Sequence, residues 1–361
     1  MSERQKISQR QAFYFLYSPS VILFTFQFAT VINIAGRESW VAGSIGILFM
    51  MTFSLWTLWL SQFAPGHTIL EILEMVAGQI IGRAVGIVYT LITVIIAALV
   101  LRNLSGMLQT ITLPNTPVWV TILVILGTGA VIAHGGIEVQ GRLAEVLVIV
   151  LFTIFFSGFL LGLRGQFNTD FIIPVFDRGI RDLVGGAYFT AGQIATGNLC
   201  LLVMVAALPR SGDSYPMIAK LYLSFLIIAF TGTLGTIGVF GAEEGARMAF
   251  ADFNVTLLIQ GLEVAIVVPY ILGSILSVAA FTYCYWVETT RTFNNWRPAI
   301  WQTITVSLAA VTAISISSNN ESYFLSTLVS SYLALPFTLL VLLLTSACLL
   351  LRGGKAAGKK T

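Results

Sequence analysis

Charge is what this sequence has least of. Only 10% of its 361 residues are Asp, Glu, Lys or Arg, where a soluble domain carries about 25%. So few charges cannot cover a water-facing surface, which excludes a soluble globular protein. Histidine and cysteine are scarce too, at 2 and 3 residues. Cys200, Cys284 and Cys348 all lie in apolar stretches and read as small packing residues, not as a disulfide framework. His67 and His134 have no neighbouring His or Cys, so no metal site is expected. A net charge of +3 offers no basic surface for nucleic acid. A nucleophile–base set, a phosphate-cradling loop and metal-ligand spacing are also missing. The chain is therefore expected to be no enzyme and to hold no cofactor. No short apolar core is followed by a small-residue cleavage site, so the first apolar run is expected to remain as a span.

What is present is hydrophobic. Apolar residues make up 57% of the chain and the mean hydropathy is +0.90. A spanning helix needs roughly 20 such residues. Runs nearly free of charge occur at 11–36, 39–62, 84–111, 117–137, 146–163, 183–209, 221–242, 264–287, 298–320 and 322–351. The expected fold is therefore an all-α integral membrane protein of ten transmembrane helices. Residues 63–83 are amphipathic and too charged to span, so they read as a re-entrant or interfacial helix. Residues 243–263 read as a surface helix plus loop. Most of the 19 Lys and Arg residues fall in loops on the N-terminal side, which places both termini in the cytoplasm. The basic tail, 352–361, suits anionic lipid headgroups.

Ten spans divide into five plus five, and halves of odd span number run in opposite directions. That permits an inverted repeat: residues 1–163 as the first half, 164–184 as an outer connecting loop and 185–351 as the second half. The pointer to such a transporter fold is a Gly- or Pro-interrupted segment at corresponding places in the two halves. The first run carries Ser18-Pro19-Ser20. The sixth carries "GGAYFTAGQIATGNL", with Gly192, Gln193, Thr196, Gly197 and Asn198. Breaks are expected at both places. A broken helix exposes backbone N–H and C=O groups that lipid cannot satisfy, and these can hold the amino and carboxylate groups of a small ligand.

Several motifs, in order, carry a family resemblance. They are "AGRESWVAG" (35–43), "FAPGHTILEILEMVAGQIIGRAVGIVY" (63–89), "LPNTPVWV" (113–120), "GGIEVQGRLAEVL" (135–147) and "IIPVF" (172–176). Together they resemble the spore germination permease family, the B subunits of nutrient germinant receptors in endospore-forming bacteria. That family looks like a branch of the amino acid–polyamine–organocation superfamily. The resemblance implies a LeuT-like five-plus-five fold with spans 1 and 6 broken. It implies a germinant sensor in the spore inner membrane, acting beside an A-type membrane subunit and a C-type lipoprotein subunit. Its ligand would be a small germinant, commonly an amino acid. The chain departs from the family where Gly-x-Gly is usual, with Pro19 and Val21 there. It departs again at Gln260-Gly261, where Gln-Arg is usual.

The candidate residues follow. Ser18 and Ser20 either bind ligand or bond back to their own helix. Gln193 and Asn198 either meet ligand or water or join a helix–helix hydrogen bond. Tyr89 and Thr93 share one helical face and either edge a central cavity or pack in the core. Ser277 is placed at the cavity by its span, which meets span 1 in LeuT-like folds. Arg102 is an intramembrane cation, functional or snorkelling. Arg142 has Glu138 and Glu145 within a helical turn, as a structural ion pair or part of an inner gate. Spans 1, 6 and 8 have no mid-membrane charge, so a neutral solute fits best. The leading function is germinant sensing. Two alternatives remain: an independent amino acid transporter of the same fold, and a water or ion channel component.

Overall fold

A computed structural model describes residues 6–173, 178–208, 211–248, 250–258, 263–293 and 298–351. Among the described residues every regular element is helical and there is no strand. The chain enters through α1 (Gln9–Thr25), whose start is fixed by a capping box: Ser8 accepts from the Gln11 N–H while the Gln11 side chain accepts from the Ser8 N–H. α2 (Phe28–Ala35) continues it after a turn at Phe26–Gln27. α3 (Ser39–Ser61) returns across the molecule. α4 (Ile69–Ala77) is the short amphipathic helix expected within 63–83, capped reciprocally by Thr68 and Glu71. Gly78 ends it at φ 97 and opens α5 (Gln79–Ile111). α6 (Val118–His134) and α7 (Gly136–Leu163) follow.

α8 (Ile180–Met204), α9 (Tyr215–Arg247), the short α10 (Ala251–Leu257) and α11 (Glu263–Thr292) begin the second half of the chain. α12 (Pro298–Ser315) and α13 (Asn319–Leu328) come next. A π-helical turn, Val329–Ala334, joins α13 to α14 (Leu335–Leu351). Among the described residues, eight helical stretches are long and apolar enough to cross a membrane. α1 and α6, at 17 residues each, span only about 25 Å at 1.5 Å per residue. Among the described residues, each expected apolar run lies mainly on helix, and the run 298–320 is interrupted at 316–318 between α12 and α13.

Large apolar side chains point outward over the whole bundle: Val124 is 63% exposed, Val131 75% and Val311 65%. Such a surface is a cost in water and none in lipid. This is an integral membrane protein. α8 is its axis, with 94% of its apolar window buried, against 17% for α12 at the periphery.

Three expectations are corrected. The first run breaks at Phe26–Gln27, not at Pro19, which lies inside continuous α1. Pro19 removes one donor, and the carbonyl thereby deprived, that of Phe15, instead receives a long 3.5 Å contact from the Ser18 hydroxyl. The second break is not formed. α8 runs unbroken through Gly192, Gln193, Thr196, Gly197 and Asn198. Its glycines serve close packing: a Cβ on Gly192 would lie 2.7 Å from Ser331 Cα, and one on Gly197 would lie 2.8 Å from Ser20 Cβ. Finally, residues 164–184 are not all loop, because α8 begins at Ile180. The basic tail and Gln260-Gly261 lie outside the described residues.

Irregular backbone occurs elsewhere. α9 kinks at Gly241, whose φ of 77° and ψ of 164° are non-helical. The π-turn interrupts the last apolar run, in a place where π-bulges mark functional segments in other helices.

Candidate functional site

The buried polar groups of the bundle gather around α8. Gln193 donates from Nε2 to the Ser330 hydroxyl at 2.7 Å, so the axial helix grips the π-turn. One turn earlier, the Tyr188 hydroxyl donates to the Ser331 carbonyl at 2.8 Å. The other end of the Gln193 amide, Oε1, is fully buried and has no hydrogen-bond partner among the described residues. An unsatisfied buried acceptor costs about 1–3 kcal/mol, so its retention calls for an explanation.

Beside Gln193 lies a small cavity. It is lined by Leu23 of α1, Ile96 and Leu99 of α5, Gln193 and Thr196 of α8, and Ser326, Val329 and Ser330 of α13 and the π-turn. Its volume for the centre of a water molecule is about 10 Å³, room for one water. The lining carries no charge. It is a set of hydroxyls and one amide on an apolar floor, the chemistry of a site for a small solute without net charge. The helices are closed around it.

Gln193 and Thr196 are thus brought to this cavity, and the other candidates are not. Thr196 donates to its own helix at Gln193 O, 2.6 Å. Ser20 donates back to the Leu16 carbonyl at 3.0 Å. Ser18 and Val21 face a different, apolar crevice between α1, α7, α9 and α11. Thr93 donates to the carbonyls of Tyr89 and Thr90, and Ser277 to that of Gly273. Both hydroxyls are spent on their own helices. Tyr89 donates to the Leu199 carbonyl at 2.9 Å and so ties α5 to the axial helix. Asn198 accepts from Ser54 at 2.8 Å and from Tyr222 at 3.1 Å. That trio locks α8 to α3 and α9, the helix–helix alternative for this residue.

Arg102 does not snorkel. It is 4% exposed and donates to the Ile316 carbonyl at 3.0 Å and to Asn319 Oδ1 at 2.9 Å. Its neighbour Asn103 is bonded to Ser322 and Ser326. Together they pin α13 against α5. Arg142 pairs with Glu138 at 2.5 Å, while Glu145 accepts from Arg10 at 2.8 Å. Both pairs are largely exposed.

Two features were missed from sequence. The serines of the π-turn build one wall of the cavity; the available signal was the cluster Ser326, Ser330 and Ser331 inside an otherwise apolar run. The second is a buried ion-pair network at the end of α11. Arg291 bonds both carboxylate oxygens of Glu288 and also reaches Glu74 on α4. Glu288 is fully buried. Its signal was the spacing of three between Glu288 and Arg291 just past the apolar run.

Comparison with known proteins agrees with the order of motifs. The sequence profile of a family described as "Spore germination protein", the spore permeases, matches residues 6–324. Spore germination protein KB of Bacillus subtilis (strain 168) is 24% identical over 355 residues, covering 94% of this chain and 93% of that protein. Spore germination protein YndE of the same organism is 24% identical over 207 residues, 56% of each chain.

Proposed function

The chain belongs to the spore germination permease family, and from that premise we propose that it is the germinant-sensing membrane subunit of a spore nutrient receptor. In this reading it crosses the spore inner membrane ten times, with α1 and α2 together forming the first span and both termini in the cytoplasm. The Lys and Arg distribution supports that orientation. It works beside an A-type membrane subunit and a C-type lipoprotein subunit.

The observation that carries the reading is the Gln193 cavity. Its unsatisfied Oε1 awaits a donor, and Thr196, Ser326 and Ser330 surround it. A small solute of no net charge, an amino acid above all, meets these dipoles once the site enlarges. Room for one water is too little for it, so binding selects an arrangement in which α8 and the π-turn stand further apart. The shift in population equals the ligand's differential affinity for the two arrangements. The Gln193–Ser330 bond is the contact that must lengthen, and the π-turn is the element least costly to rearrange.

The test is germination of spores carrying Gln193→Leu in this gene, followed by the fall in optical density against amino acid concentration. Leucine removes both the bond to Ser330 and the free acceptor. The expected result is at least a tenfold rise in the half-effective concentration, with equal amounts of the chain in the membrane fraction. An unchanged dose response would defeat the reading. Accumulation of labelled amino acid by vesicles holding this chain alone would favour the transporter alternative.

A further inference from the structure

A much wider cavity lies at the opposite face from the N-terminus, where α2 ends and α9 kinks. Its volume, for the centre of a water molecule, is about 480 Å³, nearly fifty times that beside Gln193. It is a charged vestibule whose charged lining is Arg37, Arg178, Glu243, Glu244 and Arg247.

Two of its guanidiniums are anchored from behind. Arg37 donates to the Ile173 carbonyl at 2.5 Å. Arg178 donates to the Asn33 carbonyl at 2.7 Å, and its backbone N–H donates to Glu38 Oε1 at 3.3 Å. Glu38 itself is fully buried, and its second oxygen has no partner among the described residues. The Arg178 side chain lies across Gly36, where any Cβ would come within 2.7 Å of Nε. Glycine at φ 58° there is what lets the guanidinium settle onto the backbone. Across the cavity, the Gly241 kink turns the end of α9 inward. It presents Glu243, Glu244 and Arg247, none of which makes an ion pair or side-chain hydrogen bond among the described residues. Arg247 stands four residues from Glu243 and three from Glu244, spacings that ordinarily pair on a helix.

Unpaired charges of both signs, set around one concavity, match a ligand that carries both signs. We propose that this vestibule is a binding site for a small zwitterion, its carboxylate held by Arg178 and Arg247 and its ammonium by Glu243 and Glu244. Guanidinium presents a planar fork to a carboxylate, and the ammonium is a point charge that either glutamate receives. As to ligand class, the site rests on the amino acid reading above. It deepens it by separating two tasks. The vestibule recognises the charges in a wet, wide opening, and the closed Gln193 cavity recognises the rest.

The test measures binding of L-alanine to the purified full chain in lipid nanodiscs by calorimetry, with alaninamide and propionate as probes lacking one charge each. Wild type is compared with Arg247→Gln, Arg247→Lys, Glu244→Gln and Gln193→Leu, each checked for an unchanged melting curve. Arg247 and Glu244 are exposed, so their replacement leaves the fold intact. L-alanine is expected to bind at least tenfold more tightly than either probe. Arg247→Gln and Glu244→Gln should each weaken it about tenfold, the scale of one charge-assisted hydrogen bond. Arg247→Lys should recover part of the loss, and added salt should weaken the wild type. Binding lost in Gln193→Leu but untouched in Arg247→Gln overturns the vestibule and leaves the core reading standing. Binding lost in Arg247→Gln but untouched in Gln193→Leu keeps the vestibule and removes the core cavity as a site in the isolated chain. No binding of L-alanine by wild type overturns the vestibule; the core reading is then judged by the spore experiment alone.

Discussion

Gly192 and Gly197 look alike in sequence and differ in what surrounds them. A Cβ on Gly197 would meet the Ser20 side chain first, which a rotamer change partly relieves. A Cβ on Gly192 would lie 2.7 Å from Ser331 Cα and 2.9 Å from its N, backbone atoms that move only with the π-turn. Gly192→Ala is therefore expected to lower the melting temperature more than Gly197→Ala. Overpacking of this kind costs about 1–3 kcal/mol. Adding Ser20→Ala should rescue part of the Gly197→Ala loss and none of the Gly192→Ala loss; thermal unfolding of the four variants in nanodiscs decides it. In sequence both glycines read as part of a helix break, and the structure packs both closely instead. That packing depends on Ser20 and Ser331, residues 177 and 139 positions away in the chain.

Among elements, α1 is the one whose sequence misleads. A proline in a membrane span reads as a break, yet the helix passes through it and turns seven residues later. One missing N–H is a small loss when a neighbouring serine faces the orphaned carbonyl. Pro19→Ala should thus leave the melting temperature equal or higher and the germination dose response within about threefold of wild type. A large loss of response would show that the proline bend itself matters. The true turn, at Phe26–Gln27, carries no glycine or proline. It is held by tertiary packing: Phe26 meets Phe250 edge-on and Tyr270 at a tilt. Such contacts are absent from any local pattern. The capped ends, by contrast, rest on pairs three residues apart: Ser8–Gln11, Thr68–Glu71 and Ser318–Glu321.

Across the whole molecule, the charges sort by depth. The pair Arg142–Glu138 is exposed on a helix surface, where removing one partner costs about 1 kcal/mol or less. The network of Arg291 with Glu288 and Glu74 lies between α4, α5 and α11, with Glu288 fully buried, Arg291 nearly so and Glu74 partly exposed. There, removing the cation strands a carboxylate in the interior, at a cost of about 3–5 kcal/mol. Arg291→Gln should accordingly depress the melting temperature and membrane yield far more than Arg142→Gln, and Arg291→Gln with Glu288→Gln should recover part of the difference. Parallel melting curves of the three proteins measure this directly. Equal small losses in all three would mean that water reaches the network.

Composition by itself determined that this chain lives in a bilayer, because 10% charge cannot clothe a soluble surface. Hydropathy then placed the helices and their loops, and the ordered motifs placed the family. Gln193 and Asn198 were legible as interior polar groups, since an amide in hydrocarbon must find a partner. Their partners were not legible. Whether a buried hydroxyl serves a ligand or its own helix depends on distances to groups far along the chain. Ser20, Thr93 and Ser277 turned to their own carbonyls, while Ser330, which also donates to its own Ser326 carbonyl, accepts from Gln193, and Ser326 accepts from Asn103. Only the tertiary structure decides that, because a cavity is made by what several helices together leave unfilled.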